Sequence, residues 1–302
     1  MHRVRLGTAG PTTSRLGLGC VSFGSGDNTC EIAAVVNRAL DEGVTLFDVA
    51  DPSAGGEGLQ RVGRSVGARR ADALIAAHTR PGPTSAQALV RECENTLRHL
   101  AMDHIDLYFL HAPEAVPAPA TPLEEQIGVL AGLVQAGKIR YLGLFDPTGP
   151  DLVRAHTVHP VTALATEYSL AARQVEDDLL PLARELGIGV VACRPLGSGL
   201  LTGRVTEAQP ERSPLLRTLR SLAAELDIGV SRLALAWLLS RGEDIVPVPG
   251  SADPVHLEMN LLSLDVVLPP EVSRRLSEIS DGTEGASADC GHPPRPLAGH
   301  QS

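Results

Sequence analysis

The chain has 302 residues, 43% of them hydrophobic and 21% charged, which is enough apolar content to bury one large core or two ordinary ones. A formal charge of -10 argues against a nucleic-acid partner, because phosphate binding needs a basic face and none is visible. No run reaches the ~18 to 20 apolar residues of a membrane span, and the start MHRVRLGTAG lacks the apolar core of a signal peptide, so no membrane association and a cytoplasmic location are expected. Val4 to Leu6 and Arg15 to Leu18 flank a Gly/Pro/Thr-rich turn and read as a hairpin leading into a first barrel strand, Leu16 to Cys20. A helix follows from about Cys30 to Glu42. Thr45 to Phe47 is a buried strand that runs into a loop carrying Asp48 and Asp51. Glu57 to Val66 is helical with Gly67 as its stop, Ala73 to Ala77 is a strand, and Ser85 to Leu100 is an amphipathic helix with Ser85 as N-cap.

Further along, Asp106 to Leu110 is a strand, and a Pro/Ala-rich loop from Ala112 to Pro122 leads to the helix Leu123 to Ala136. Tyr141 to Leu144 and Ala163 to Ala165 are strands joined by a short helix around Asp151 to His156. Gly189 to Ala192 and Ile245 to Val248 are the last two strands, separated by the Gly-rich loop Gly197 to Gly203 and helices near Pro214 to Leu226 and Ser231 to Arg241. Helices at Pro254 to Leu261 and Pro269 to Ile279 close the fold, and residues 281–302 read as a flexible Pro/Gly/His-containing tail. Strand and helix alternating at roughly 30-residue spacing give an α/β fold, a (β/α)8 TIM barrel over residues 1–280 with an N-terminal β-hairpin and extra C-terminal helices. An open doubly wound sheet is the alternative, and it would want a GxGxxG turn that GLGCVSFG does not supply.

In a barrel the strand carboxyl ends build the site. The runs ALIAAH, IDLYFLH, YLGLFD, ALATE and VVACR end there, so Asp48, His78, His111, Asp146, Glu167 and Arg194 converge on one pocket, with Asp51 and Glu114 on adjoining loops. Five scattered cysteines, Cys20, Cys30, Cys93, Cys193 and Cys290, show no CxxC pair and read as reduced thiols. His78 and His111 lack HxH or HExxH spacing, and no metal site is assigned.

The segments GLGCVSFG, GVTLFDVAD, HIDLYFLH, LVQAGKIRYLGL, VHPVTALATEYSL, RELGIGVVACRPLGSGLLTG and IVPVPGSA, covering about residues 4 to 280, together resemble the aldo-keto reductase superfamily. The resemblance implies NADPH-dependent reduction of aldehydes, ketones and sugars by a tetrad of Asp, Tyr, Lys and His. Asp48 and His111 match two of its members, while Ser53 stands at the tyrosine and His78 at the lysine. The only lysine, Lys138, sits at the far end of its strand. A serine hydroxyl is far less acidic than a phenol, so ordinary carbonyl reduction loses its acid.

The resemblance also assigns cofactor residues. Gly197, Ser198, Gly199, Leu200, Gly250 and Ser251 match phosphate-side positions, and Glu258 and Asn260 the adenine-side pair. At the nicotinamide end Phe145, Ala165 and Cys193 replace the family's polar and aromatic residues, and Ala252 and Asp253 replace its basic ones. The expectation is therefore that no cofactor is used, with NADP or NAD as the alternative. The remaining catalytic set is Asp48, His78, His111, Ser53 and Arg194, with Asp51, Phe145, Asp146, Glu167 and Cys193 lining a pocket for a small-molecule substrate. Non-redox acid-base chemistry in bacterial secondary metabolism, such as dehydration, isomerisation or cyclisation, is the leading expectation. An NAD(P)H-dependent oxidoreductase with an atypical proton donor, and a non-catalytic binding or regulatory protein, are the alternatives. The sequence carries no sign of oligomeric state.

Overall fold

The computed structural model describes residues 1–24, 29–50, 55–80, 85–112, 121–203 and 214–280. Asp51, Ser53, Glu114 and the tail 281–302 lie outside the described residues. An antiparallel hairpin, β1 (Arg3–Arg5) with β2 (Thr12–Ser14), precedes the strands β3 (Leu18–Gly19), β4 (Leu46–Val49), β5 (Leu74–His78), β6 (Ile105–His111), β7 (Ile139–Phe145), β8 (Ala163–Glu167), β9 (Gly189–Cys193) and β10 (Ile245–Pro247). These eight run parallel in sequence order, from β3 to β10. Around them lie α1 (Thr29–Asp41), α2 (Glu57–Val66), α3 (Ala86–Leu100), α4 (Leu123–Gln135), α5 (Gly149–Val158), α6 (Leu179–Leu186), α7 (Pro214–Glu225), α8 (Val230–Leu239), α9 (Pro254–Leu261) and α10 (Pro270–Ser280). No helix among the described residues is long and apolar enough to cross a membrane.

The sheet closes on itself, which disposes of the open doubly wound alternative. Gly17 N donates to the Pro247 carbonyl at 2.9 Å, Gly19 N donates to Pro249 O at 3.0 Å, and Gly19 bridges Gly250 in parallel. Glycine is required at this seam, since a Cβ on Gly19 would stand 2.8 Å from the Val248 carbonyl oxygen.

Strand alternation then divides the apolar side chains into two cores. Leu46, Leu74, Ala76, Leu107, Phe109, Ala163, Ala165, Val191 and Val246 fill the barrel, while Phe47, Ile75, Tyr108, Leu110 and Leu164 face the helices. Val4 and Leu6, from the hairpin region, join the inner core and plug the amino-terminal end.

Two sequence expectations need correction. The hairpin's second strand is Thr12–Ser14, not Arg15 to Leu18. Arg15 has already turned inward there: its guanidinium is buried and donates to the carbonyls of Leu239 (2.6 Å), Gly242 (2.5 Å) and Ile245, tying the chain to the start of β10. The second correction is α6, a helix the sequence reading left out. It is one of the shortest in the fold, with Asp178 accepting from Leu179 N at its start and Gly187 left-handed (φ 67) at its end. Ser85 caps α3 as its sequence position suggested, accepting from Ala88 N at 3.2 Å.

Candidate active site

With Leu46, Ala76, Phe109 and Ala165 pointing inward, the two-residue period of each strand sends Asp48, His78, His111 and Glu167 to the same side one step further on. They form the top layer of the barrel at the carboxyl ends of β4, β5, β6 and β8. Phe145 and Cys193, at the ends of β7 and β9, pack against the inner core from the same layer.

His78 takes its place through Asp48. Its Nε2 lies 2.5 Å from Asp48 Oδ1, and the two side chains are only 4% and 6% exposed. An ionised carboxylate only accepts, so His78 donates from Nε2. The ring stacks on Phe109 at 4.9 Å and meets Phe145 edge-on at 5.2 Å. These apolar faces leave Asp48 as its only polar side-chain partner in hydrogen-bond reach among the described residues.

His111 is half-buried and is set by a different partner. Its Nδ1 lies 2.5 Å from the Thr79 carbonyl oxygen, and its backbone N–H donates to Thr79 Oγ1 at 2.9 Å. A carbonyl can only accept, so Nδ1 carries a proton and the neutral ring keeps its lone pair on Nε2. The ring packs against Phe145 at 4.4 Å and stands 6.2 Å from His78, centroid to centroid. Thr79 and Phe109 were not among the residues the sequence reading assigned to the site. Phe109 was within reach of the alternation Leu107, Phe109, His111 on β6, whereas the Thr79 carbonyl has no sequence signal at all.

On the other side of the layer, the Cys193 thiol is pushed well above the usual thiol range by burial and then by the carboxylates of Asp48 and Asp146, with Arg194 opposing. A thiol held protonated in this way is a poor nucleophile. Arg194 Nη1 donates to Glu167 Oε2 at 2.9 Å across the rim. Asp146 and Arg194, each directly after a strand end, hold left-handed backbones at φ 46 and φ 44, a conformation non-glycine residues adopt at a cost and which clusters at functional sites. Asp146 is exposed, beyond the strand rather than inside it.

The phosphate-side positions have a geometry that suits an extended dinucleotide. Gly197, Ser198 and Gly199 are consecutive left-handed residues (φ 56, 52 and 98) in the turn Gly197–Thr202, and a Cβ on Gly199 would meet nothing within 4 Å. Such a turn exposes backbone to a ligand at close range. Gly250, after β10, is exposed, and Ser251 donates from Oγ to the Asp253 carbonyl at 2.7 Å, bracing the turn into α9. The Asp253 carboxylate caps α9, accepting from Val255 N at 2.8 Å. Asn260 is buried on α9, while Glu258 is exposed and paired with Arg38 at 3.1 Å. Leu200 is half-buried against the outer core. Among the described residues no group of three or more His, Cys, Asp or Glu side chains is placed to hold a metal ion.

Comparison with known proteins agrees with this architecture. Residues 15–281 match the Aldo/keto reductase family model. A probable aldo-keto reductase 1 from Glycine max is 33% identical over 91% of this chain and 88% of its own length. A thermostable aldo-keto reductase solved with the inhibitor epalrestat superposes with a TM-score of 0.81 at 28% identity, covering 92% of this chain and 100% of its own. An aldo-keto reductase from Klebsiella pneumoniae in complex with NADPH gives a TM-score of 0.80 at 27% identity, over 93% of this chain and 96% of its own. That complex overturns the expectation of a cofactor-free pocket. It also runs against the non-redox reading that depended on it. The family match and the NADPH complex outweigh the side-chain differences at Phe145, Ala165 and Cys193.

Proposed function

We propose that this chain, which belongs to the aldo/keto reductase family, is a nicotinamide-dependent oxidoreductase of small carbonyl compounds in which a histidine takes the place of the usual proton donor. Gly197, Ser198, Gly199 and Leu200, with Gly250 and Ser251, would hold the dinucleotide backbone, and Asn260 on α9 its far end. When bound, the nicotinamide supplies or accepts a hydride.

The rest of the chemistry falls to the chain's own side chains. An oxygen that gains charge as a carbonyl is reduced needs a proton at the same moment. Protonated at both ring nitrogens, His111 would give it from Nε2, because Nδ1 stays committed to the Thr79 carbonyl and the residue is half-buried rather than sealed. The His78 side chain is enclosed, and its bond to Asp48 makes that pair a fixed dipole beside the reacting centre. Phe145, in contact with both rings, and Phe109 beneath His78 keep water from the gap between them. The observation that carries this reading is two imidazoles in one layer, 6.2 Å apart, each oriented by a different fixed acceptor.

A titration with NADPH and NADH, followed by nicotinamide fluorescence and then by consumption with an aromatic aldehyde, tests it. Micromolar binding and turnover support the reading. An absence of binding at millimolar dinucleotide would end it.

A further inference from the structure

The Arg194–Glu167 pair at the carboxyl ends of β9 and β8 is a single-bond contact, looser than the forked arginine pairs of the molecule. Arg154 meets Glu124 through Nε and Nη2, and Arg184 meets Asp244 through the same two nitrogens, each a two-bond fork. Arg194 makes one hydrogen bond to Glu167, from Nη1 to Oε2, and both side chains are more than a third exposed, at 39% and 35%. An exposed single-bond pair of this kind is weak, because water screens it and ordering two long side chains offsets most of the gain. The backbone nevertheless holds Arg194 left-handed to aim it there, with the Gly197 amide donating to the Arg194 carbonyl at 2.8 Å to lock the turn. A left-handed non-glycine residue at a strand's carboxyl end, carrying only a weak contact, is a candidate for a ligand contact.

Glu167 lies opposite Cys193 in the β8–β9 register with Arg194 next in the chain, while Asp48 at the end of β4 is already paired with His78. An anionic group entering at this rim meets the Glu167 carboxylate, and Arg194 is the guanidinium beside it. We infer that Arg194 is an anion clamp which Glu167 occupies in the empty pocket, and that an anionic oxygen of the ligand displaces Glu167 and takes both forks of the guanidinium. The ligand's anion is either a carboxylate on the carbonyl substrate or a phosphate of the dinucleotide held by the neighbouring Gly197–Thr202 turn. No bond is made or broken in the exchange. The inference rests on the proposed oxidoreductase reading for the identity of the ligands.

Two variants with opposite expected signs test it. Arg194→Gln removes the clamp, and Glu167→Gln releases it. The probes are NADPH, benzaldehyde and 4-carboxybenzaldehyde, with dissociation constants measured by calorimetry, the aldehydes in the presence of saturating NADPH. If the clamp serves the substrate, Arg194→Gln weakens 4-carboxybenzaldehyde by about tenfold or more, Glu167→Gln tightens it severalfold, and benzaldehyde and NADPH are unchanged. If it serves the dinucleotide, the same pair of opposite shifts appears on NADPH instead. Parallel losses in both variants, or no change on any probe, would mean a structural ion pair and overturn the inference. Failure of the wild-type chain to bind NADPH would sink the oxidoreductase reading instead, and 4-carboxybenzoate binding to the free protein would then decide between clamp and ion pair by the same two signs.

Discussion

At the amino-terminal end of the barrel Asp106 and Arg15 are buried and bound on several sides, whereas at the carboxyl end Asp48 and Glu167 hold one side-chain partner each. Asp106 accepts from Arg70 (2.6 Å), the Ile75 amide (2.9 Å) and Arg140 (3.1 Å), and Arg15 donates to three carbonyls. Asp48 meets His78, and Glu167 meets Arg194. Charges whose hydrogen-bonding capacity is filled serve the fold. Charges left with capacity to spare, on the face where strand ends open to solvent, are available to a ligand.

The largest effect that would break this contrast belongs to Asp106. Asp106→Ala strips three partners at once and should lower unfolding stability by about 3–5 kcal/mol in urea denaturation, with NADPH affinity retained wherever the protein is still folded. A loss of less than about 1 kcal/mol would mean the network carries no weight. Arg15→Lys comes next. One ammonium cannot serve carbonyls of Leu239, Gly242 and Ile245 as a planar fork does, so a loss of about 2 kcal/mol is expected, and a thermally unshifted variant would contradict it.

An effect of another kind, which builds with pH, comes from the thiols. Burial raises Cys93 to about 11 and pushes Cys20 and Cys193 well above their usual range. The folded state then holds protons that the unfolded chain releases, so stability is full below the ordinary thiol pKa of 9.0 and falls as pH rises toward the folded values. The slope is about 1.4 kcal/mol per pH unit for each such thiol, and flat stability between pH 9 and 11 would contradict the burial. The smallest effect sharpens the contrast from the other side. Asp48→Asn keeps an oxygen to accept from His78, so its stability should stay within about 1 kcal/mol of the parent, and a loss as large as that of Asp106→Ala would erase the distinction between the two ends.

Much of this fold can be read from the chain because parallel strands covered on both faces leave short apolar runs such as LIAAH and IDLYFLH that stop on a polar residue. The alternation that buries Ala76 and Leu107 also puts His78 and His111 on the pocket side, so these candidates were visible without coordinates. Helix α6 escaped notice because LLPLAREL spans little more than two turns and carries a proline. What stayed hidden is backbone geometry: the Thr79 carbonyl that orients His111, the left-handed turn at Arg194, and the seam where Gly19 meets Gly250. The cofactor expectation fails for another reason: the Gly197 to Gly199 match is legible in the sequence, and the side-chain differences at Phe145, Ala165 and Cys193 outweigh it there, whereas the left-handed geometry of that turn shows only in the fold.

The measurement that bears most directly on the account is single-turnover hydride transfer from bound NADPH to an aromatic aldehyde in the parent and in His111→Gln. A rate lowered by about 10²- to 10⁴-fold, at unchanged NADPH affinity, is the predicted result. An unchanged rate would place the proton donor elsewhere and contradict the assignment of the carboxyl-end histidines.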